Sequence, residues 1–99
     1  MFGLVRESSI ERHLAKAVLA AGGYSLKIMP VIAGSPDRLV IFPPGRLFLV
    51  ELKTPTGRVR PIQQVMHDRL GALGAPVAVL NSSAAIDAWI SRVLPPGML

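Results

Sequence analysis

The sequence predicts a mixed α/β domain, and three observations carry that expectation. Apolar residues recur at helical spacing in residues 9–21, 61–73 and 84–93. Short apolar runs at residues 37–42, 47–53 and 76–80 lie between those segments. Pro43-Pro44-Gly45-Arg46 separates the first two runs as a hairpin turn would. Ser8-Ser9-Ile10-Glu11 matches a capping box, so the first helix is placed at residues 9–21, with Ile10, Leu14, Ala17, Val18 and Ala21 facing a core. Gly22-Gly23 ends it. Residues 24–29 alternate as a strand, and residues 30–36, which include Gly34-Ser35, form a loop. Pro61 suits the first position of a second helix, whose apolar stripe is Ile62, Val65, Met66, Leu70 and Leu73, ending at Gly74. Residues 76–80 read as a buried strand, and the helix before it predicts a right-handed crossover parallel to residues 47–53. Asn81-Ser82-Ser83 caps a last helix that packs through Ile86, Trp89, Ile90 and Val93. The predicted order is α-β-β-β-α-β-α in one domain over residues 1–99, with Pro95-Pro96-Gly97-Met98-Leu99 as a frayed tail.

Composition narrows the chemistry. With 99 residues and 51% hydrophobic content, the chain can bury an ordinary core without disulfides or a structural metal. It has no cysteine, which removes thiol nucleophiles, thiolate-bound zinc and iron–sulfur clusters. A metal would have to be held by oxygen or imidazole. Residues 1–7 lack the basic and long apolar regions of a secretory signal, and no segment is apolar enough to span a bilayer, so a soluble cytoplasmic protein without membrane contact is expected. The net charge of +5 suits a polyanionic partner, and Arg58 and Arg60 place basic charge in the Gly- and Pro-punctuated stretch that follows Lys53. The alternative for that stretch is a solubilising loop.

Glu51-Leu52-Lys53 ends the apolar run of the central strand. In a strand, residues i and i+2 share a face, so Glu51 and Lys53 project together while Leu52 points the other way. The preceding Leu47-Phe48-Leu49-Val50 is apolar on both faces, as in a strand covered on both sides. Charges at the edge of such a core need each other, a metal ion or a substrate phosphate.

The ordered set Ser9-Ile10-Glu11, Gly34-Ser35-Pro36-Asp37, Glu51-Leu52-Lys53, Gly57-Arg58 and Pro61-Ile62-Gln63 resembles the VRR-NUC branch of the PD-(D/E)XK nuclease superfamily, in its small stand-alone phage and bacterial form. The resemblance runs from about Glu7 to Trp89. It implies a restriction-endonuclease-like α-β-β-β-α-β core, with a mixed four-stranded sheet flanked by helices and a C-terminal helix added. It also implies a divalent-metal-dependent DNA endonuclease, a homodimer acting on branched DNA such as four-way junctions, with Mg²⁺ or Mn²⁺ and no nucleotide cofactor.

On that resemblance, Glu11, Asp37, Glu51 and the Leu52 carbonyl are metal ligands, as hard cations require oxygen. Lys53 orients the attacking water or offsets charge on the phosphate. Gln63 hydrogen-bonds into the site, and Arg58 and Arg60 contact phosphates. Glu7, one turn before Glu11, competes for its role, and Glu11 also has a structural explanation as the capping-box partner of Ser8. For one ion to bridge the strands, Asp37 must share a face with Glu51. That requires Phe42 to oppose Arg46 or Phe48, or a bulge, with Gly45 supplying the positive φ of the turn.

Remaining candidates read as structural. His13 and His67 have no second imidazole one turn away, so neither forms a zinc-type pair, and solvent exposure is expected for both, although His67 lies one turn after Gln63. Ser35 is a turn residue, Gln64 a surface glutamine and Trp89 a core or dimer residue. Two other functional classes stay open: a basic module that holds branched DNA without cutting it, and a subunit of a larger nuclease assembly.

Overall fold

The computed structural model describes residues 6–29 and 31–94. Its elements run α1 (Glu7–Ala20), β1 (Tyr24–Lys27), β2 (Arg38–Phe42), β3 (Arg46–Leu52), α2 (Pro61–Ala72), β4 (Val77–Leu80) and α3 (Ser83–Val93). The sheet order is β1-β2-β3-β4, with β1, β2 and β3 antiparallel and β4 parallel to β3. This is the expected mixed four-stranded sheet with its crossover through α2. Pro30 and the tail 95–99, read above as the loop's start and a frayed end, lie outside the described residues.

Strand alternation divides the sheet into two unlike faces. Val40 and Phe42 of β2, Val50 and Leu52 of β3 and Leu80 of β4 point to one face, where they meet Ile10, Leu14 and Val18 of α1 and Ile86, Trp89 and Ile90 of α3. Full burial of each such side chain contributes about 1.5–3 kcal/mol. Phe42, Phe48 and Trp89 form an aromatic cluster with ring centroids 5.6–6.5 Å apart, placing Trp89 in the core. α2 packs on the opposite face against β4. Beside it, Leu26, Leu39, Ile41, Leu47 and Leu49 are only partly buried or exposed.

Two local expectations are corrected. α1 begins at Glu7 with Arg6 as its N-cap and no side-chain cap bond, so the Ser8–Glu11 capping box does not form. Glu7 instead puts negative charge in the first turn, where free N–H groups favour it. In α2 the buried residues are Gln63 and His67, whereas Ile62, Val65 and Leu73 are 48%, 61% and 78% exposed. The edge turned to the sheet mixes Gln63 and His67 with the partly buried Met66 and Leu70 of the expected stripe, and Gln63 there meets Glu51. The last cap forms as expected: Ser82 Oγ accepts from the Ala85 N–H at 3.0 Å.

Candidate active site

Register brings the acidic residues together. Phe42 opposes Arg46 and Arg38 opposes Val50, so one step further Asp37 opposes Glu51 on the same face. Gly45, at φ +75°, turns the hairpin that sets this register. Asp37 Oδ1 accepts from the Leu52 N–H at 3.3 Å, which ties the carboxylate across the strand pair. Ile28 N–H donates to the Asp37 carbonyl at 2.8 Å and fixes the backbone from the other side.

Glu51 is 5% exposed. Its Oε2 accepts from Gln63 Nε2 at 3.2 Å and lies 3.7 Å from Lys53 Nζ. Gln63 is held in turn, since its Oε1 accepts from the Arg60 N–H at 2.8 Å at the start of α2. Oε1 of Glu51 is buried without a hydrogen-bond partner among the described residues. Burial raises the Glu51 pKa, the Asp37 charge raises it further, Lys53 lowers it, and Glu7 adds a smaller push upward. Carboxylates therefore crowd this point beyond what Lys53 offsets.

The two helix-one glutamates have parted company. Glu11, expected as a metal ligand, is paired with Arg38 at 2.5 Å and lies 4.0 Å from Lys27. Arg38 points to the α1 face with its side chain 6% exposed and also donates to the Asp37 carbonyl at 2.9 Å. A buried guanidinium needs carboxylates: Glu11 engages one end of it, and Asp37 Oδ2 lies 3.4 Å from Nη1. Glu7 is the α1 acid whose charge acts on Glu51.

Among the described residues no three acidic or histidine side chains already enclose an ion. What the site brings together is a pair of carboxylates, Asp37 with its Oδ2 3.4 Å from Arg38 Nη1 and Glu51 with one buried, unsatisfied oxygen. That donor set fits a hard divalent cation, which commonly takes one or two carboxylates and completes its shell with water and phosphate. Arg58 and Arg60 are exposed on the segment between Lys53 and α2, as expected.

The histidines depart from expectation. His13 is half-buried and bonded to Asp87 of α3 at 2.8 Å. His67 is 8% exposed rather than solvent-facing, and its Nε2 has no partner among the described residues. Burial lowers its pKa, the Asp68 charge raises it, and Lys53 lowers it. The sequence signal for its burial was its position one turn after Gln63.

A mixed sheet carrying Asp37 opposite Glu51, with Lys53 two residues on and a supporting Gln63, has the architecture of a nuclease. A solved structure described as "VRR_NUC domain" superposes with a TM-score of 0.81 and 30% identity, covering 90% of this chain and 98% of that one. "Putative nuclease p44" of Acyrthosiphon pisum secondary endosymbiont phage 1 is 43% identical over 93 residues, 93% of this chain and 95% of that protein. No protein-family model matches the chain. On these two relatives, the chain belongs to the VRR_NUC family of nucleases.

Proposed function

We propose that the protein is a divalent-metal-dependent DNA endonuclease that hydrolyses phosphodiester bonds in branched DNA, four-way junctions among them, as a homodimer. The observation that carries this reading is Asp37 facing Glu51 beside Lys53, with the buried Glu51 Oε1 unsatisfied. Asp37, Glu51 and the Leu52 carbonyl would hold Mg²⁺ or Mn²⁺, with Glu7 rather than Glu11 as the nearby α1 acid. The chemistry such an ion supplies is polarisation of the phosphoryl oxygen and a lowered pKa for the attacking water. Gln63 fixes one Glu51 oxygen and leaves the other without a partner among the described residues. Lys53 brings an ammonium to offset charge on the phosphate. Arg58 and Arg60 grip the backbone without reading its sequence. The phage relative supports the host cytoplasm as the place of action, and among the described residues no helix is long and apolar enough to cross a membrane.

Incubation with labelled four-way junctions and linear duplex tests this in the presence of Mg²⁺ or Mn²⁺. Metal-dependent cutting of the junction is expected, lost in Asp37→Ala and Lys53→Ala. Junction binding without cutting in either metal would favour a binding module instead.

The dimer reading rests on the face beside α2. A solvated strand face alternates to polar residues, yet Leu39 and Ile41 of β2 and Leu47 and Leu49 of β3 are apolar there. Leu47 is 61% exposed, Tyr24 59% and Leu26 40%. Two copies joined through this face would bury it from water and give the paired sites that symmetric cutting needs. Leu47→Glu places like charges across a twofold contact without disturbing the buried core. Sedimentation should show a wild-type dimer and a dissociation constant raised about 10-fold or more in the variant, since 1.4 kcal/mol is tenfold. A wild-type monomer at micromolar concentration would refute it.

A further inference from the structure

Nothing in the fold explains why a histidine stands at position 67. The sheet-facing edge of α2 there also carries Met66 and Leu70, both partly buried, and a leucine would fill the same space without a polar atom. The imidazole is more than nine-tenths buried, and its Nε2 is left without a partner among the described residues. A buried unpaired polar atom costs stability, and such atoms persist in native structures mainly where function uses them.

Lys53 is the neighbour short of partners. An ammonium has three donors, yet among the described residues its polar neighbour is Glu51 Oε2 at 3.7 Å, too long for a good hydrogen bond. The charge of Lys53 also acts on His67, opposing its protonation in the same sense as burial does. Gln63 and His67 lie one turn apart on the same edge of α2, and Gln63 already holds Glu51. One helix edge thus carries a glutamine bonded to Glu51 and, one turn on, a buried histidine within the field of Lys53, the residue that follows β3.

Resting on the nuclease reading above, we propose that His67 is a positioning residue for Lys53. Its Nε2 accepts from the ammonium through one water and keeps it aimed at the phosphate when Glu51 is engaged elsewhere. The imidazole proton then sits on Nδ1. His67 touches neither the attacking water nor the phosphate and acts through Lys53 alone.

The test compares His67→Leu with His67→Gln in the full chain, the glutamine restoring an acceptor on a flexible stem. His67→Leu should fold and melt close to wild type, because leucine fills the same space on the sheet-facing edge of α2. It should nevertheless cut a junction with a kcat on the order of 10–100-fold lower at an unchanged KM, the loss typical of a displaced supporting group. His67→Gln should recover most of that loss. In the metal-free protein, the Lys53 ammonium resonance should be visible by nitrogen-15 NMR in wild type and His67→Gln, and broadened by exchange in His67→Leu. Equal resonances in all three proteins would overturn the proposal, as would His67→Leu cutting at the wild-type rate. The resonance is read without turnover. A wild type that cuts no DNA would therefore defeat the nuclease reading while leaving the His67–Lys53 contact separately measured.

Discussion

Glu51→Gln should all but abolish cleavage and should stabilise the metal-free protein at neutral pH. The two effects have one cause. Glu51 is 5% exposed, one of its oxygens has no partner among the described residues, and Asp37 and Glu7 add negative charge to its surroundings. Burial, the Asp37 charge and the smaller Glu7 contribution raise its pKa above the usual carboxylate value, and Lys53 only partly compensates. A carboxyl whose pKa is higher in the folded than in the unfolded state favours folding at low pH. That contribution is lost as pH rises through the folded value, so the charged form weighs on the fold at pH 7–8. Glutamine keeps the shape and the contact with Gln63 but carries no charge.

In a metal-free buffer at pH 8 the variant should melt about 4–8 °C above wild type, as relief of about 1 kcal/mol would produce in a domain of this size. The gap should close as pH falls through the carboxylate range, where Glu51 becomes neutral in both states. His67 runs in the opposite direction: its lowered pKa favours folding above its ordinary range and weakens the fold as it protonates. It is present in both proteins, so to first order it cancels in the difference. Loss of the carboxylate should reduce the cleavage rate by about 10³-fold or more, the order expected when a group worth about 4 kcal/mol at the transition state is removed. Thermal unfolding across pH 4.5–8 and a cleavage assay check both halves. A variant less stable than wild type at pH 8 would mean that Glu51 is held as a structural charge.

The parts of this site legible in the sequence are those set by short-range geometry. Period-two alternation put Glu51 and Lys53 on one face, and for Asp37 to join them Phe42 had to meet Arg46 or Phe48, or a bulge had to intervene; the pairing with Arg46 is the one found. Ser82 could be read as a cap because its bond to Ala85 spans three residues. Choosing between Glu7 and Glu11 was different, since it depends on where α1 crosses the end of the sheet. Arg38 points into the α1 face and engages Glu11, a contact that no spacing in the sequence encodes. Periodicity also marked Ile62, Val65 and Leu73 as a stripe, but a stripe does not say what covers it. α2 instead faces the sheet with Gln63 and His67. Their burial follows from the contact of Gln63 with Glu51, a pairing across β3 and α2 that no local pattern encodes.

Gly34→Ala should cost both stability and turnover, and Gly45→Ala only a little stability. Both glycines have positive φ, +86° and +75°, so a side chain at either position is strained by about 1–3 kcal/mol. They differ in their surroundings. A Cβ on Gly45 meets nothing within 4 Å, whereas one on Gly34 would overlap the Ile62 carbonyl and press on the Gln63 Cα. Gly34 is therefore where the loop before Asp37 rests against the first turn of α2, the turn that carries Gln63. The backbone cannot yield there without moving one carboxylate support relative to the other, because Asp37 follows the loop by three residues and Gln63 holds Glu51. A displacement of about 1 Å at a reacting centre can cost about 100-fold in rate. Gly34→Ala should accordingly melt about 10 °C or more below wild type, given about 4–8 °C per kcal/mol, and cut DNA on the order of 100-fold more slowly. Gly45→Ala, at the far end of the β2–β3 hairpin, should melt about 4–8 °C lower and cut at the wild-type rate at a temperature where both are folded. Equal turnover in the two variants would show that the loop can leave α2 without disturbing Asp37, and the support for that residue would then lie with Ile28, Arg38 and the Leu52 N–H.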